Sequence, residues 1–334
     1  TLEQARVAAY PPYVEVEGTE HAAPLLVVAG AGSGKTETLA LRATFMAAHF
    51  GVAPDAIMGL TFTRKAAGEL DQRLRDRFEA LAQLSDANGD ASGGHASALL
   101  STSAESMTYN AFALRVVQEF GARIGIDPQV VHMGEAAAWE LMQEVVALWE
   151  GSLSGSRSES SIVDAALSLR EDLANQALSV ADARTRLNGL LKQFKDAFEE
   201  AAVRPRSSYV FFHRVGEPAV RARLEILDII EEFDAQMHAR GRMDYAQQIL
   251  AAIRVVEEVP EARETLRQRH RVVFLDEFQD TSVAQLRFLS SLFADHPVTA
   301  VGDPNQAIYG WRGASAASLS DFHGMFNAGP GGPK

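Results

Sequence analysis

The chain has 334 residues, 47% of them hydrophobic and 22% charged, with no cysteine. That length suits about two domains of roughly 150 residues and cores that need no staple, and it excludes disorder or fibrous repeats for most of the chain. Lack of cysteine excludes a disulfide framework, a thiolate zinc site and a cysteine nucleophile. No apolar run approaches the roughly 18 residues of a membrane span, and no signal peptide opens the sequence, so a cytoplasmic protein with no membrane partner is expected.

Net charge is −13, from 31 basic and 44 acidic residues. This argues against a passive nucleic-acid coat, but not against a protein that gathers its positive charge in one groove. Two stretches run against the balance. Arginines 204, 206, 214, 221 and 223 meet only Glu217, and arginines 263, 267, 269 and 271 meet only Glu264. Solvated or salt-bridged helix faces account for either stretch taken alone.

Apolar runs at Leu25–Val28, 57–62, 107–109, Val272–Leu275 and 298–301 predict buried strands, and helical spacing follows most of them. The alternation predicts an α/β fold with a mainly parallel sheet, which binds ligands at the carboxyl ends of its strands. From about Gly121 to Arg240 helical spacing dominates instead. Trp139, Met142, Val146 and Trp149 share one face ahead of Gly151 as C-cap, and Leu224, Leu227, Ile230, Phe233 and Met237 form a second stripe ending near Gly241. Both stripes are expected in a core. Residues 85–101 and 151–161, rich in Gly and Ser, read as mobile loops. The expected organisation is an α/β domain over 1–118 and 240–334, interrupted by a helical insertion at 119–239.

Ala29-Gly30-Ala31-Gly32-Ser33-Gly34-Lys35-Thr36 follows the first strand and opens a helix, the setting a P-loop requires. Its glycines let the backbone wrap closely, so N–H groups from Ala31 through Gly32, Ser33, Gly34, Lys35 and Thr36 can face phosphate oxygens at a helix N-terminus. Lys35 reaches the β and γ phosphates, and Thr36 can ligate Mg²⁺. Ala29 is a small-residue variant at the first position. A merely structural glycine turn is the alternative, disfavoured by the flanking strand and helix.

The run Val272-Val273-Phe274-Leu275-Asp276-Glu277-Phe278-Gln279-Asp280-Thr281 is an apolar strand ending in carboxylates. Asp276 can hold Mg²⁺ through water, and Glu277 can orient and deprotonate an attacking water. Asp280 fits either a functional role or a helix N-cap, and Ser282 with Gln285 fits a capping box. A third strand, 298–301, leads into Gly302-Asp303-Pro304-Asn305-Gln306-Ala307-Ile308-Tyr309-Gly310-Trp311-Arg312-Gly313-Ala314. Gln306 there can sense a γ-phosphate. Tyr309 and Trp311 can stack on bases, each stack worth ~1–3 kcal/mol, or else lie in the core.

Together, and in this order, the three segments resemble the UvrD/Rep/PcrA family of superfamily 1 DNA helicases. The resemblance implies a RecA-like P-loop NTPase domain interrupted by an all-helical insertion. It also implies ATP with Mg²⁺ as cofactors, and ATP-dependent 3′→5′ translocation on single-stranded DNA and at single-strand/duplex junctions. Lys35, Glu277 and Gln306 would serve catalysis. Gly59-Leu60-Thr61-Phe62-Thr63-Arg64-Lys65-Ala66-Ala67 looks like a segment that lies along single-stranded DNA, placing Phe62 and Arg64 on it. Ser106-Met107-Thr108-Tyr109-Asn110-Ala111-Phe112 looks like the next DNA-contacting segment, with Tyr109 as contact. Met243-Asp244-Tyr245 resembles the return from the insertion, and Gln4 matches an adenine-reading glutamine.

The resemblance covers the family's first half. The motifs of a second RecA-like domain, with its phosphate-facing arginines, are absent, so that domain is an expected partner; the chain also opens on Thr1 rather than Met. Its wording looks closest to actinobacterial members, some of them helicase–nuclease subunits of the AdnAB type, which would add a partner subunit. Two other classes remain open. A small-molecule P-loop kinase needs an acceptor pocket and no DNA, against the aromatics after Gln306. A noncatalytic, nucleotide-gated DNA-binding subunit would be marked by loss of Lys35 or Glu277, and both are present.

Overall fold

Parallel strands buried on both faces read as near-continuous apolar runs, and each of the five expected runs contributes to one sheet, although 25–28 and 105–108 are only partly buried and Tyr109 already belongs to the following helix. The computed structural model describes residues 1–16, 18–87, 102–151, 153, 158–200, 212–307 and 318–327. By internal packing the chain divides into Thr1–Pro128 with Ala251–Lys334, and Gln129–Leu250. Both junctions fall later than the sequence reading placed them. Residues after 118 fold back in a tight turn, where Ile126 N–H donates to Gly121 O at 2.9 Å, and beyond Leu250 the helix buries Ala252, Val255 and Val256.

The first unit begins with α1 (Leu2–Ala9), capped reciprocally by Thr1 and Gln4. A hairpin the apolar pattern did not reveal follows, β1 (Tyr13–Val16) and β2 (Thr19–Ala22). Next come β3 (Leu25–Val28), α2 (Lys35–Phe50), β4 (Ile57–Thr61), α3 (Arg64–Ala87), β5 (Glu105–Thr108) and α4 (Tyr109–Phe120). The second unit contributes β6 (Val131–His132), α5 (Glu135–Ala147), α6 (Glu159–Asn175), α7 (Val180–Glu200), α8 (Glu217–Ala239) and β7 (Arg242–Met243). The chain returns through α9 (Tyr245–Glu258) to α10 (Pro260–Arg269), β8 (Val272–Leu275), α11 (Val283–Phe293), β9 (Val298–Gly302) and α12 (Ser318–Phe326).

The main sheet has the order β3-β9-β8-β4-β5 and is parallel throughout. Its register aligns Val28 with Gly302, Leu275 with Ala300 and Leu60, and Thr61 with Thr108. The strands therefore finish along one edge, and whatever follows each of them gathers there. Leu39, Met46, Ile57, Leu70, Phe78 and Phe274 belong to one buried cluster beneath that edge.

Arg42 is a buried arginine on α2, 2% exposed. Its Nε donates to Thr299 Oγ1 at 2.8 Å, and one terminal nitrogen donates to Val7 O at 2.8 Å and Tyr10 O at 2.6 Å. Those carbonyls lie at the end of α1, so Arg42 caps that helix and holds it to α2. Burial pushes the guanidinium down to about 10.

In the second unit, α5, α6 and α8 share a core that includes Met142, Val146, Val163, Leu227, Ile230, Phe233 and Met237, as the stripe on α8 predicts. The stripe on α5 is Ala138, Leu141, Met142, Val145 and Val146. Trp139 falls just off it, 37% exposed, and donates to Asp164 Oδ1 at 3.3 Å. The core role expected for Trp139 is thus corrected, and the helix is capped at Leu148 rather than Gly151. Of the expected loops, 85–87 continue α3 and 159–161 open α6, while 88–101, 152 and 154–157 lie outside the described residues. Among the described residues no helix is long and apolar enough to cross a membrane.

Candidate active site

The loop between β3 and α2 turns on Gly32 and Gly34, with φ of +70° and +81°, values that suit a residue without Cβ. At Gly34 a Cβ would also stand 2.9 Å from Gln4 Nε2. The Gly34 carbonyl accepts from both Thr38 N at 2.8 Å and Thr38 Oγ1 at 2.9 Å, which fastens the first turn of α2. A helix leaves its first N–H groups without internal acceptors, so those of Lys35 and Thr36 face outward for an anion.

Lys35 Nζ donates to Ala29 O at 3.3 Å and to Gln306 Oε1 at 3.1 Å. Beside it, Thr36 Oγ1 donates to Asp276 Oδ2 at 3.3 Å. Asp276 follows β8 and is 3% exposed. Burial, then the neighbouring Glu277, pushes its carboxyl up to about 6, against the Glu277 N–H, Thr36 and Lys35. A buried carboxylate facing a hydroxyl is a hard-oxygen pair that suits Mg²⁺. Among the described residues there is no cluster of three or more His, Asp or Glu able to hold a metal. The pair therefore fits an ion that takes its other ligands from phosphate and water.

Glu277 has φ +51° and ψ +41°, a left-handed conformation uncommon for a residue with a Cβ. Its N–H donates to Asp276 Oδ1 at 3.0 Å, and its Oε2 accepts from Gln279 Nε2 at 2.8 Å. Gln4 Nε2 donates to Ser33 O at 3.1 Å, which brings α1 against the glycine loop. Lys35, Thr36, Asp276, Glu277, Gln306 and Gln4 thus share one neighbourhood, and Ala31, Gly32 and Ser33 form its exposed rim.

Phe62 and Arg64 follow the carboxyl end of β4, with Arg64 exposed at the start of α3. Tyr109 corrects the sequence expectation. It is 2% exposed, and its hydroxyl donates to the Asp276 carbonyl at 3.0 Å, so its ring offers no face to a base. Burial raises its hydroxyl pKa. Tyr109 opens α4, which turns its side chain beneath the acidic run. Asn110 next to it accepts from Gln285 Nε2 at 3.2 Å. Ser282 and Gln285 form the capping box of α11, so Asp280 is not the cap. Tyr309, Trp311, Arg312, Arg204 and Arg206 lie outside the described residues.

Several arginines of the two basic stretches have structural partners. Arg221 pairs with Glu217 at 2.6 Å, and Arg269 with Glu119 at 2.6 Å. Arg267 donates to the carbonyls of Leu292, Ala294 and Asp295, capping the end of α11. Sequence reasoning missed Gln279 and Arg42. An amide between two carboxylates, and an arginine on an otherwise apolar helix face, were the available signals.

A glycine loop from strand to helix, answered by a carboxylate at the end of a nearby strand of the same parallel sheet, is the arrangement of a RecA-like α/β domain. Residues 16–327 match the UvrD/REP helicase N-terminal domain, and the chain belongs to that family. It is 28% identical over 308 residues to the ATP-dependent DNA helicase UvrD2 of Mycobacterium tuberculosis, covering 91% of this chain and 37% of that protein. It is 24% identical over 302 residues to the ATP-dependent DNA helicase PcrA of Staphylococcus epidermidis, covering 90% and 34%. PcrA of Staphylococcus aureus is 25% identical over 302 residues, with the same coverage. The chain spans about a third of the length of these relatives.

Proposed function

We propose that this chain is the ATP- and single-stranded-DNA-binding half of an ATP-dependent DNA translocase of 3′→5′ polarity, acting at single-strand/duplex junctions. The observation that supports this best is the meeting of Lys35 Nζ with Gln306 Oε1 at 3.1 Å beside the Thr36–Asp276 pair. A phosphate arriving between them would take the ammonium from Gln306 and leave that amide facing the γ-phosphate. The N–H groups of the glycine loop would hold the phosphate chain, Gln4 beside that loop would read the adenine edge, and Thr36 with Asp276 would hold Mg²⁺. The ion, when bound, neutralises charge developing on the phosphate oxygens. Glu277 orients a water and accepts its proton, a contribution of typically 10²–10⁴-fold.

DNA would run over the carboxyl edge of the sheet, along Phe62 and Arg64 and onto Tyr309 and Trp311. Phosphoryl transfer also needs positive charge on the far side of the γ-phosphate, worth ~10³–10⁵ in rate. In this reading a second RecA-like domain supplies it, in a cytoplasmic machine that a helicase–nuclease partner would extend. DNA-stimulated phosphate release by the full-length protein tests the proposal. Stimulation by single-stranded DNA is the expected result; nucleotide turnover indifferent to DNA, or none at all, would overturn it.

A further inference from the structure

Gln279 lies in the middle of the acidic run and is 2% exposed, yet both ends of its amide are engaged. Oε1 accepts from Asp303 N at 2.9 Å. Nε2 donates to Glu277 Oε2 at 2.8 Å and to Asp280 Oδ2 at 3.3 Å. A backbone N–H can only donate, so Asp303 fixes which end of the amide is oxygen and turns the amino group toward Glu277. The fit leaves no slack: a Cβ at Gly302 would stand 2.8 Å from Gln279 Oε1.

Asp303 in turn heads the short turn Pro304–Gln306. Its Oδ1 accepts from Asn305 N at 2.9 Å and its carbonyl from Gln306 N at 3.0 Å. Gln306 is the residue whose Oε1 meets Lys35. One buried amide therefore joins the Glu277 carboxylate to the backbone that carries Gln306.

We infer that Gln279 is a positioning residue, which holds the Glu277 carboxylate in the orientation that takes a proton from water and ties that orientation to the turn at 303–306. The inference rests on the reading of Glu277 as the base. A glutamate carboxylate on freely rotating bonds sweeps a wide arc, whereas proton transfer needs it within hydrogen-bond reach of the water. Misplacement by about 1 Å can cost ~10²-fold. Because the link ends on the turn that leads toward Tyr309 and Trp311, a shift of that turn on DNA is felt at Glu277. DNA stimulation of turnover then depends on Gln279, although its side chain is buried.

The test is steady-state ATP hydrolysis by the full-length protein, with and without oligodeoxythymidylate, in Gln279→Leu, Gln279→Glu, Glu277→Gln and the double variant Glu277→Gln/Gln279→Leu. Gln279→Leu is expected to lower kcat by about tenfold or more while KM for ATP stays within about twofold, and to reduce the fold-stimulation by DNA. Gln279→Glu keeps an acceptor for Asp303 N–H but sets a buried carboxylate against Glu277 and Asp280, so it should lower both kcat and the melting temperature. In the Glu277→Gln background, Gln279→Leu should change the rate by less than about twofold, because nothing remains to be positioned. A slow Glu277→Gln with a double variant slower by the full additional factor overturns this inference alone. So does a Gln279→Leu variant that keeps wild-type kcat and wild-type stimulation by DNA. An unchanged kcat in Glu277→Gln overturns the base assignment, and this inference with it.

Discussion

Lys35 and Gln306 stand 271 positions apart and meet at 3.1 Å. The cause is the pairing of β3 with β9, which aligns Val28 with Gly302 so that the loops after both strands leave the sheet side by side. Parallel neighbours cannot be joined by a hairpin, so such pairs come from distant parts of the chain.

Lys35→Ala should weaken nucleotide binding and spare the fold, because the lysine is only half-buried at the first position of α2 and alanine suits a helix there. A hydrogen bond to a charged group is worth about 1.5–3 kcal/mol, or roughly a tenfold or greater loss of affinity. Titration with a fluorescent ATP analogue reads this directly, with thermal unfolding as the control. Unchanged affinity would remove Lys35 from the site.

Tyr109→Phe separates a core residue from a DNA contact. The change removes the hydroxyl bond to Asp276 O, a cost of about 0.5–1.5 kcal/mol, and keeps the ring. The melting temperature should fall by a few degrees with single-stranded-DNA affinity unchanged. Lost DNA affinity at constant stability would return Tyr109 to the DNA path.

For Tyr309 and Trp311, outside the described residues, stacking on DNA predicts the opposite pattern. Each change to Ala should weaken single-stranded-DNA binding by ~1–3 kcal/mol and leave nucleotide binding in place. A sharp loss of thermal stability with intact DNA affinity would put the rings in the core.

Arg170, on α6, pairs with Asp234 at 2.8 Å and with Asp244 at the return from the insertion, over the ring of Phe233. Arg170→Leu would strand both carboxylates. Breaking a buried pair costs about 3–5 kcal/mol; Asp234 is one-third exposed, which places the loss toward the lower end. Urea unfolding should register it, and Arg170→Lys should recover only part, lacking the planar fork.

Acid should destabilise the first unit through two histidines. His270 and His296 are buried, and burial pushes both down to about 4. The unfolded chain takes up these protons near pH 6.5 and the folded one only near 4. The stabilisation is therefore complete above the unfolded value and lost as pH falls through that window, by about 2 kcal/mol per histidine between pH 7 and 5. Neither ring nitrogen of His270 has a hydrogen-bond partner among the described residues, so His270→Leu should fold and flatten this dependence. An unaltered pH slope in that variant would show that the ring does not set it.

The strands were legible because a strand buried on both faces reads as a near-continuous apolar run, as 272–275 does throughout and 57–61 does but for Gly59 and Thr61. The hairpin at 13–22 and the two-residue pair β6–β7 were not, because half-exposed or very short strands carry no such run. Lys35, Thr36, Asp276, Glu277 and Gln306 could be named as candidates from sequence because binding a phosphate and its ion would require each residue type at a set offset from a strand end, and the structure brings Lys35 to Gln306 and Thr36 to Asp276. The sequence by itself thus determined the phosphate loop, the acidic strand end and the alternation that builds the sheet, since all are local rules of backbone and side-chain chemistry. Only the tertiary structure decided that Tyr109 points inward to Asp276 O, that Arg42 caps α1, and that Gln279 spans Glu277 and Asp303. Those partners come together through packing between distant segments, and a residue's neighbours in the chain do not specify which side of a helix or strand end will face them.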